Sequence, residues 1–121
     1  MASPAEGQNA RTAVYLRQSF VVVGYIPYLA SRGKVGSLLL ALDDEKGVLR
    51  FVGTVARGFS GRMRVDLATL LEGDHVTVSS TVGAPRLGVE HWVIPRYTAE
   101  VRFLGWTRSG QLRFPKFLQL R

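Results

Sequence analysis

The sequence contains no cysteine. That absence excludes a disulfide framework, a thiolate nucleophile and any Cys-ligated zinc or iron–sulfur site. Histidine is nearly as scarce: only His75 and His91 occur, without H-x-x-x-H spacing, so no metal site is expected. Neither G-x-x-x-x-G-K-[ST] nor G-x-G-x-x-G is present, and no cofactor is expected. No apolar run approaches the ~18 residues of a membrane span. Met1 to Arg11 lacks the apolar core of a signal peptide. The chain therefore reads as an intracellular, cytoplasmic domain with no membrane partner.

Acids are the other shortage. Nine Asp and Glu face sixteen Lys and Arg, leaving +7 on 121 residues. Such a balance in a single small domain points to a polyanion. Lysine is rare too, at Lys34, Lys46 and Lys116 only, so thirteen of the cations are arginine. The planar guanidinium holds phosphate through two parallel bonds, which an ammonium does not. From Val101 to Arg121 there are five cations, Arg102, Arg108, Arg113, Lys116 and Arg121, and no acid. Phe103, Trp106, Phe114 and Phe117 are interleaved with them. Cations beside rings suit phosphate contact and base stacking, although strand spacing favours Phe103 and Phe117 as core, and Trp106 as packing. Glu100 stands on the outer face of its strand and is expected to pair with a neighbouring arginine. The Asp43-Asp44-Glu45 run is a solvated turn.

Residues 1–12 are small and polar and read as a disordered tail, with the folded domain over 13–121. Arg17–Tyr25 holds the β-branched run of a strand closed by Pro27. Tyr28–Gly36 forms a basic loop with Arg32 and Lys34. Ser37–Leu42 and Val48–Arg57 flank an Asp-Asp-Glu-Lys-Gly turn and read as a hairpin. In the second strand, Leu49, Phe51 and Val55 alternate with Arg50, Val52 and Thr54. Met63, Leu67, Leu70 and Leu71 then fall on one face of a three-turn helix, with Ser60 as N-cap and Gly73 as C′ residue. Residues 74–90 lack either period and read as a long surface connection. Tyr97, Ala99, Val101 and Phe103 alternate in a half-buried strand. Thr107–Gly110 turns, and Gln111–Arg121 returns as a last strand broken by Pro115. Strand, strand, strand, helix, strand, strand is the order of an all-β, five-stranded Greek-key OB-fold barrel, with one helix between strands 3 and 4.

FVVVGY (Phe20–Tyr25), GSLLLAL (Gly36–Leu42), LRFVGTVARGFS (Leu49–Ser60), HWVIP (His91–Pro95) and AEVRFLGWTRSGQLRFPKFLQLR (Ala99–Arg121) follow one another in an informative order. Together they resemble the C-terminal OB-fold domain of ATP-dependent DNA ligases, nearest the bacterial ligase D type used in end joining. The stretch from Trp106 is the most specific part. In that family a separate nucleotidyltransferase domain carries the adenylated lysine in K-x-D-G, which does not occur here. The resemblance implies a domain that is not an enzyme by itself and that grips the minor-groove side of nicked duplex. A final R-x-D-K motif orients pyrophosphate in the family. Arg121 stands at its arginine and the Asp and Lys do not follow, so duplex binding carries over more fully than adenylation. Where the family resembles G-K-V-G-x-G-F, this chain has Gly53-Thr54-Val55-Ala56-Arg57-Gly58-Phe59. On a regular strand Arg57 would face away from Thr54, so it is not an obvious replacement for the lost lysine.

The sequence thus predicts a monomeric, nucleoid-associated domain that binds duplex or nicked DNA through phosphates, with little base specificity, in repair or end joining. The expected contacts are Arg32, Lys34, Arg57, Arg108, Arg113, Lys116 and Arg121, with Arg62 and Arg64, in the first turns of the helix, as weaker ones. An alternative is a protein-interaction module that docks on a separate ligase nucleotidyltransferase domain and completes it in trans. No residue distinguishes DNA from RNA.

Overall fold

The computed structural model describes residues 14–121; the expected N-terminal tail lies outside them. Strand β1 (Leu16–Pro27) is the spine. It pairs antiparallel with β2 (Val35–Asp43) along one edge, and β2 pairs in turn with β3 (Leu49–Val55). Helix α1 (Gly61–Glu72) follows, then the short strands β4 (His75–Val76) and β5 (His91–Val93). Strand β6 (Thr98–Phe103) pairs with the first half of β1, and β5 takes over that edge at Gly24–Tyr25. A separate small hairpin, β7 (Gly105–Trp106) with β8 (Leu112–Arg113), precedes β9 (Lys116–Leu120), which pairs with β6.

The long strands run β9–β6–β1–β2–β3. The protein is thus mostly β with one helix among the described residues, built on antiparallel pairing and consistent with an OB-fold. It differs from the expected barrel in two respects. Among the described residues nine strands form rather than five: the bend at Leu104 and the break at Pro115 separate β7 and β8 from the strands beside them, and the short β4 and β5 add two more. The ladder also does not close: its two edge strands meet only where the Phe117 N–H donates to the Arg57 carbonyl just beyond β3, at 2.8 Å.

The sheet is buried on both faces over β2, β3 and the second half of β1. Phe20, Val22, Leu38, Leu40, Val52, Val55, Val101 and Phe103 fill the main core under α1. Val23, Leu39 and Ala41 form a second cluster on the outer face, with Val21, Ile26, Leu49, Phe51 and Trp92 packed against it. Two bulges make this possible. Between β1 and β2 the register steps from Val22↔Leu40 to Gly24↔Leu39, which turns Val23 outward as an extra residue. Between β2 and β3 it steps from Leu40↔Gly53 to Ala41↔Phe51, leaving Val52 unpaired. The alternation expected in β3 therefore fails: Val52 joins Val55 in the main core while Leu49 and Phe51 pack outward. Gly24 allows the close approach of β5, since a Cβ there would lie 2.8 Å from the His91 carbonyl oxygen.

Residues 77–90 do more than connect. Val82 forms a parallel bridge to Arg50, with Phe51 N–H donating to its carbonyl at 2.9 Å and its own N–H donating to Leu49 at 2.8 Å. Together with Trp92, the segment covers the outer cluster. Helix α1 begins as expected, with the Met63 N–H donating to the Ser60 hydroxyl at 3.1 Å. Its buried face is Leu67, Ala68 and Leu71, while Met63 and Leu70 remain 38% and 40% exposed. Gly73 ends it in right-handed geometry (φ −69°), not the left-handed C′ conformation. Among the described residues no helix is long and apolar enough to cross a membrane.

Candidate nucleic-acid interface

Two loops and one sheet edge position the basic residues. The β1–β2 loop carries Arg32, exposed, and Lys34, half-buried. It is closed by the Tyr28 N–H donating to the Lys34 carbonyl at 2.8 Å. Arg57 follows β3 and is exposed; Gly58 beside it takes φ +98°. Since β3 ends at Val55, Arg57 no longer obeys strand parity, and both it and Thr54 face solvent. The expectation that the two point to opposite sides therefore lapses.

Beyond Arg57 the chain meets β9. A Cβ on Gly58 would lie 2.3 Å from the Phe117 carbonyl oxygen and 3.1 Å from Lys116 Cγ, so glycine lets the two backbones touch. Lys116 is thereby placed beside Arg57. Phe59 stacks on Phe117 with centroids 4.6 Å apart. Further back along the same edge, Leu112 N lies 3.5 Å from where a Gly53 Cβ would stand. This sets Arg113, exposed, between Lys116 and the β7–β8 turn. Arg108 is exposed in that turn, which the Thr107 N–H fixes by donating to Gln111 at 2.7 Å. The residues Ser109 and Gly110 share a shallow groove with Asp43, Asp44 and Arg50, so Arg108 lies toward the far end of β3 from Arg57. Arg108, Arg113, Lys116 and Arg57 follow the edge of β3 away from β2 in that order, beyond the Val82 bridge that occupies its start at Leu49–Phe51. None of them, nor Arg32 or Lys34, forms an ion pair among the described residues.

Three expected contacts have other partners. Arg64 donates to the carbonyls of Val35 (2.8 Å), Gly36 (2.8 Å) and Ala56 (3.1 Å). Its guanidinium lies 5.1 Å from both the Tyr28 and Phe59 rings. It is a strut joining α1 to the ends of β2 and β3. Arg62 pairs with Asp66 one turn on, both exposed. Arg121 lies at the opposite end of β9 from Lys116 and reaches Glu100 at 3.5 Å.

Glu100 is paired with an arginine, as expected. It accepts from Arg17, Gln119 and Arg121. The hydrogen bond from Arg17, aided by that from Gln119, holds its carboxyl down to about 2. Trp106 meets Phe103 and Phe20 edge-on at 5.3 and 6.0 Å, which makes it packing more than a platform. Phe103 and Phe117 are core. Among the described residues no group of three or more His, Asp or Glu is placed to hold a metal ion. Arg17 and Arg102 are surface cations absent from the expected contacts. The alternation in 98–103 already turns Arg102 outward, but only strand register reveals its neighbours.

A small antiparallel β-domain, consistent with an OB-fold and edged with unpaired cations, is of a class suited to holding an extended polyanion. Residues 31–121 match the ATP dependent DNA ligase C terminal region, and the chain belongs to that family. It is 37% identical over 111 residues to the multifunctional non-homologous end joining protein LigD of Pseudomonas aeruginosa, covering 88% of this chain and 13% of that protein. The ligase domain of LigD from M. tuberculosis superposes with a TM-score of 0.80 at 33% identity, over 88% of this chain and 35% of that one. A mycobacterial DNA ligase D complexed with ATP and MES gives a TM-score of 0.74 at 33% identity, with the same coverage. The chain thus spans about an eighth of the curated relative and about a third of the solved ligase domains.

Proposed function

We propose that this domain binds duplex or nicked DNA through backbone phosphates, with little sequence specificity, as the DNA-gripping part of an ATP-dependent ligase system in repair or end joining. The observation that carries the reading is the row of cations without carboxylate partners along the β3 edge and in the β1–β2 loop. The reading takes β1, β2, β3, β6 and β9 as the five strands of an OB fold. Arg32 and Lys34 then lie in the loop between its first two strands, and Arg108 and Arg113 in the loop between its last two, the loops that OB folds use for oligonucleotides. The face of β2 and β3 between them is covered by residues 77–95, so contact falls to the loops and the edge.

The domain acts as a monomer, without metal or cofactor, in the cytoplasm with the nucleoid. Chemistry at the nick belongs to a nucleotidyltransferase domain. Binding of a fluorescent duplex, followed by anisotropy from 50 to 300 mM salt, tests the proposal. With four to six phosphate contacts, log K falls against log salt with a slope of roughly −4 to −5. A flat response refutes it.

One observation favours a second reading, docking on a separate nucleotidyltransferase domain to complete it in trans. A groove of about 230 Å³ between α1 and β9, lined by Met63, Leu67, Phe117, Leu118 and Leu120 among others, is mostly apolar and open to solvent. Co-purification with a ligase catalytic domain, lost on Met63→Asp but kept on Lys116→Ala, would support this role.

A further inference from the structure

Strand register sets Arg17 opposite Arg102 on β1 and β6, and Arg102 opposite Lys116 on β6 and β9. All three face outward, since their neighbours Val101, Phe103 and Phe117 are core. At ~4.8 Å per strand the row is roughly 10 Å long, about three nucleotide steps of 3.4 Å along a duplex strand. Like charges directly opposite one another destabilise a sheet, and among the described residues this face offers them one carboxylate. That carboxylate, Glu100, is already bound by Arg17, Gln119 and Arg121. Arg102 has no share in it. Its guanidinium lies 4.3 Å from the Tyr15 ring, and its Nε is buried without a hydrogen-bond partner among the described residues. Lys116 is common to this row and to the β3 edge.

From this we infer that the phosphate-binding surface continues from the β3 edge through Lys116 and across the outer face of β9, β6 and β1, with Arg102 and Arg17 as further contacts to the same nucleic-acid strand. The inference rests on the DNA-binding reading. It adds a surface outside the two loops, lengthening the bound stretch by about three nucleotides.

Duplex anisotropy over a salt series, with the whole chain, tests it in two variants of opposite sign. Arg102→Gln should reduce the salt slope by about 0.9 and weaken binding about eightfold at 0.1 M salt. Glu100→Gln removes the one anion beside the row among the described residues and should tighten binding about twofold, an effect that a damaged fold does not mimic. Unchanged affinity in Arg102→Gln, or equal or weaker binding in Glu100→Gln, overturns the inference. The DNA-binding reading fails separately, if the unmodified chain shows no salt-dependent binding.

Discussion

Arg64 distinguishes a strut from a phosphate contact. Its two bonds to the Val35 and Gly36 carbonyls are part-buried, and the third, to Ala56, is exposed. Hydrogen bonds from a charged donor contribute about 1.5–3 kcal/mol each when sheltered, and little in water. Two aromatic rings at 5.1 Å add about 0.5–1 kcal/mol apiece. Discounting for partial exposure and non-additivity, Arg64→Ala should cost about 3 kcal/mol. For a domain of this size that lowers Tm by on the order of 10–15 °C. Arg64→Lys is the sharper experiment. An ammonium keeps the charge but lacks the planar fork that reaches carbonyls of two strands at once, so it should lose most of the same stability. Urea unfolding with an unchanged m-value measures the loss, and duplex anisotropy below the new Tm should show nearly unaltered affinity. If Arg64→Ala unfolds like the parent while DNA binding weakens, or if lysine restores both properties, the strut assignment is wrong.

Gly58→Ala forces a Cβ to within 2.3 Å of the Phe117 carbonyl at φ +98°. β9 must retreat and its bond to Arg57 breaks, so a loss of about 3 kcal/mol or more in urea unfolding is expected; an unchanged midpoint would contradict the contact. Glu100 is held near 2 in the fold against an ordinary 4.5. Its stabilisation is therefore complete above about pH 4.5 and is lost as pH falls through about 2. The Tm gap between the parent and Glu100→Gln should close across that window, and a gap constant with pH would exclude the pairing. Arg113→Ala with Lys116→Ala should reduce the salt slope by about 1.8 and weaken nicked and intact duplex alike. Loss on the nick alone would show that these residues read the break.

What was legible in the sequence was local. The β-branched run of β1, the Ser60 cap and the alternation of β6 each lie within a few neighbouring residues, where propensity and period operate. What was hidden depends on distant partners. Leu38–Ala41 shows no alternation because both faces are buried, one under α1 and the other under residues 77–95. The buried face of α1 is Leu67, Ala68 and Leu71, with Arg64 on that side reaching β2 and β3, and Leu70 is left half exposed. A count of leucines gives no hint of that. Val52 enters the core through a bulge that only its pairing with β2 creates. The basic edge was half-visible: composition showed that Val101–Arg121 has no acid, whereas the closeness of Arg57 and Lys116 rests on Gly58 touching Phe117.

The net charge of +7 acquires a different meaning once the acids are placed. Asp44 pairs with Arg50, Asp66 with Arg62, Asp74 with Arg96, and Glu100 with Arg17 and Arg121. Glu90 accepts from the N–H groups of Leu87 and Gly88 and neutralises no basic residue of the edge. No ion pair among the described residues therefore includes Arg32, Lys34, Arg57, Arg108, Arg113 or Lys116. The pairs are mostly exposed and individually weak, about 0–1 kcal/mol each, so their disposition matters more for the field than for stability. Because the acids engage other arginines, the cations of the β3 edge and the β1–β2 loop keep their charge without a carboxylate partner. Salt screens that field over about 10 Å at 0.1 M, so ionic strength acts strongly on a ligand along the edge and weakly on a fold held by apolar cores on both faces of its sheet.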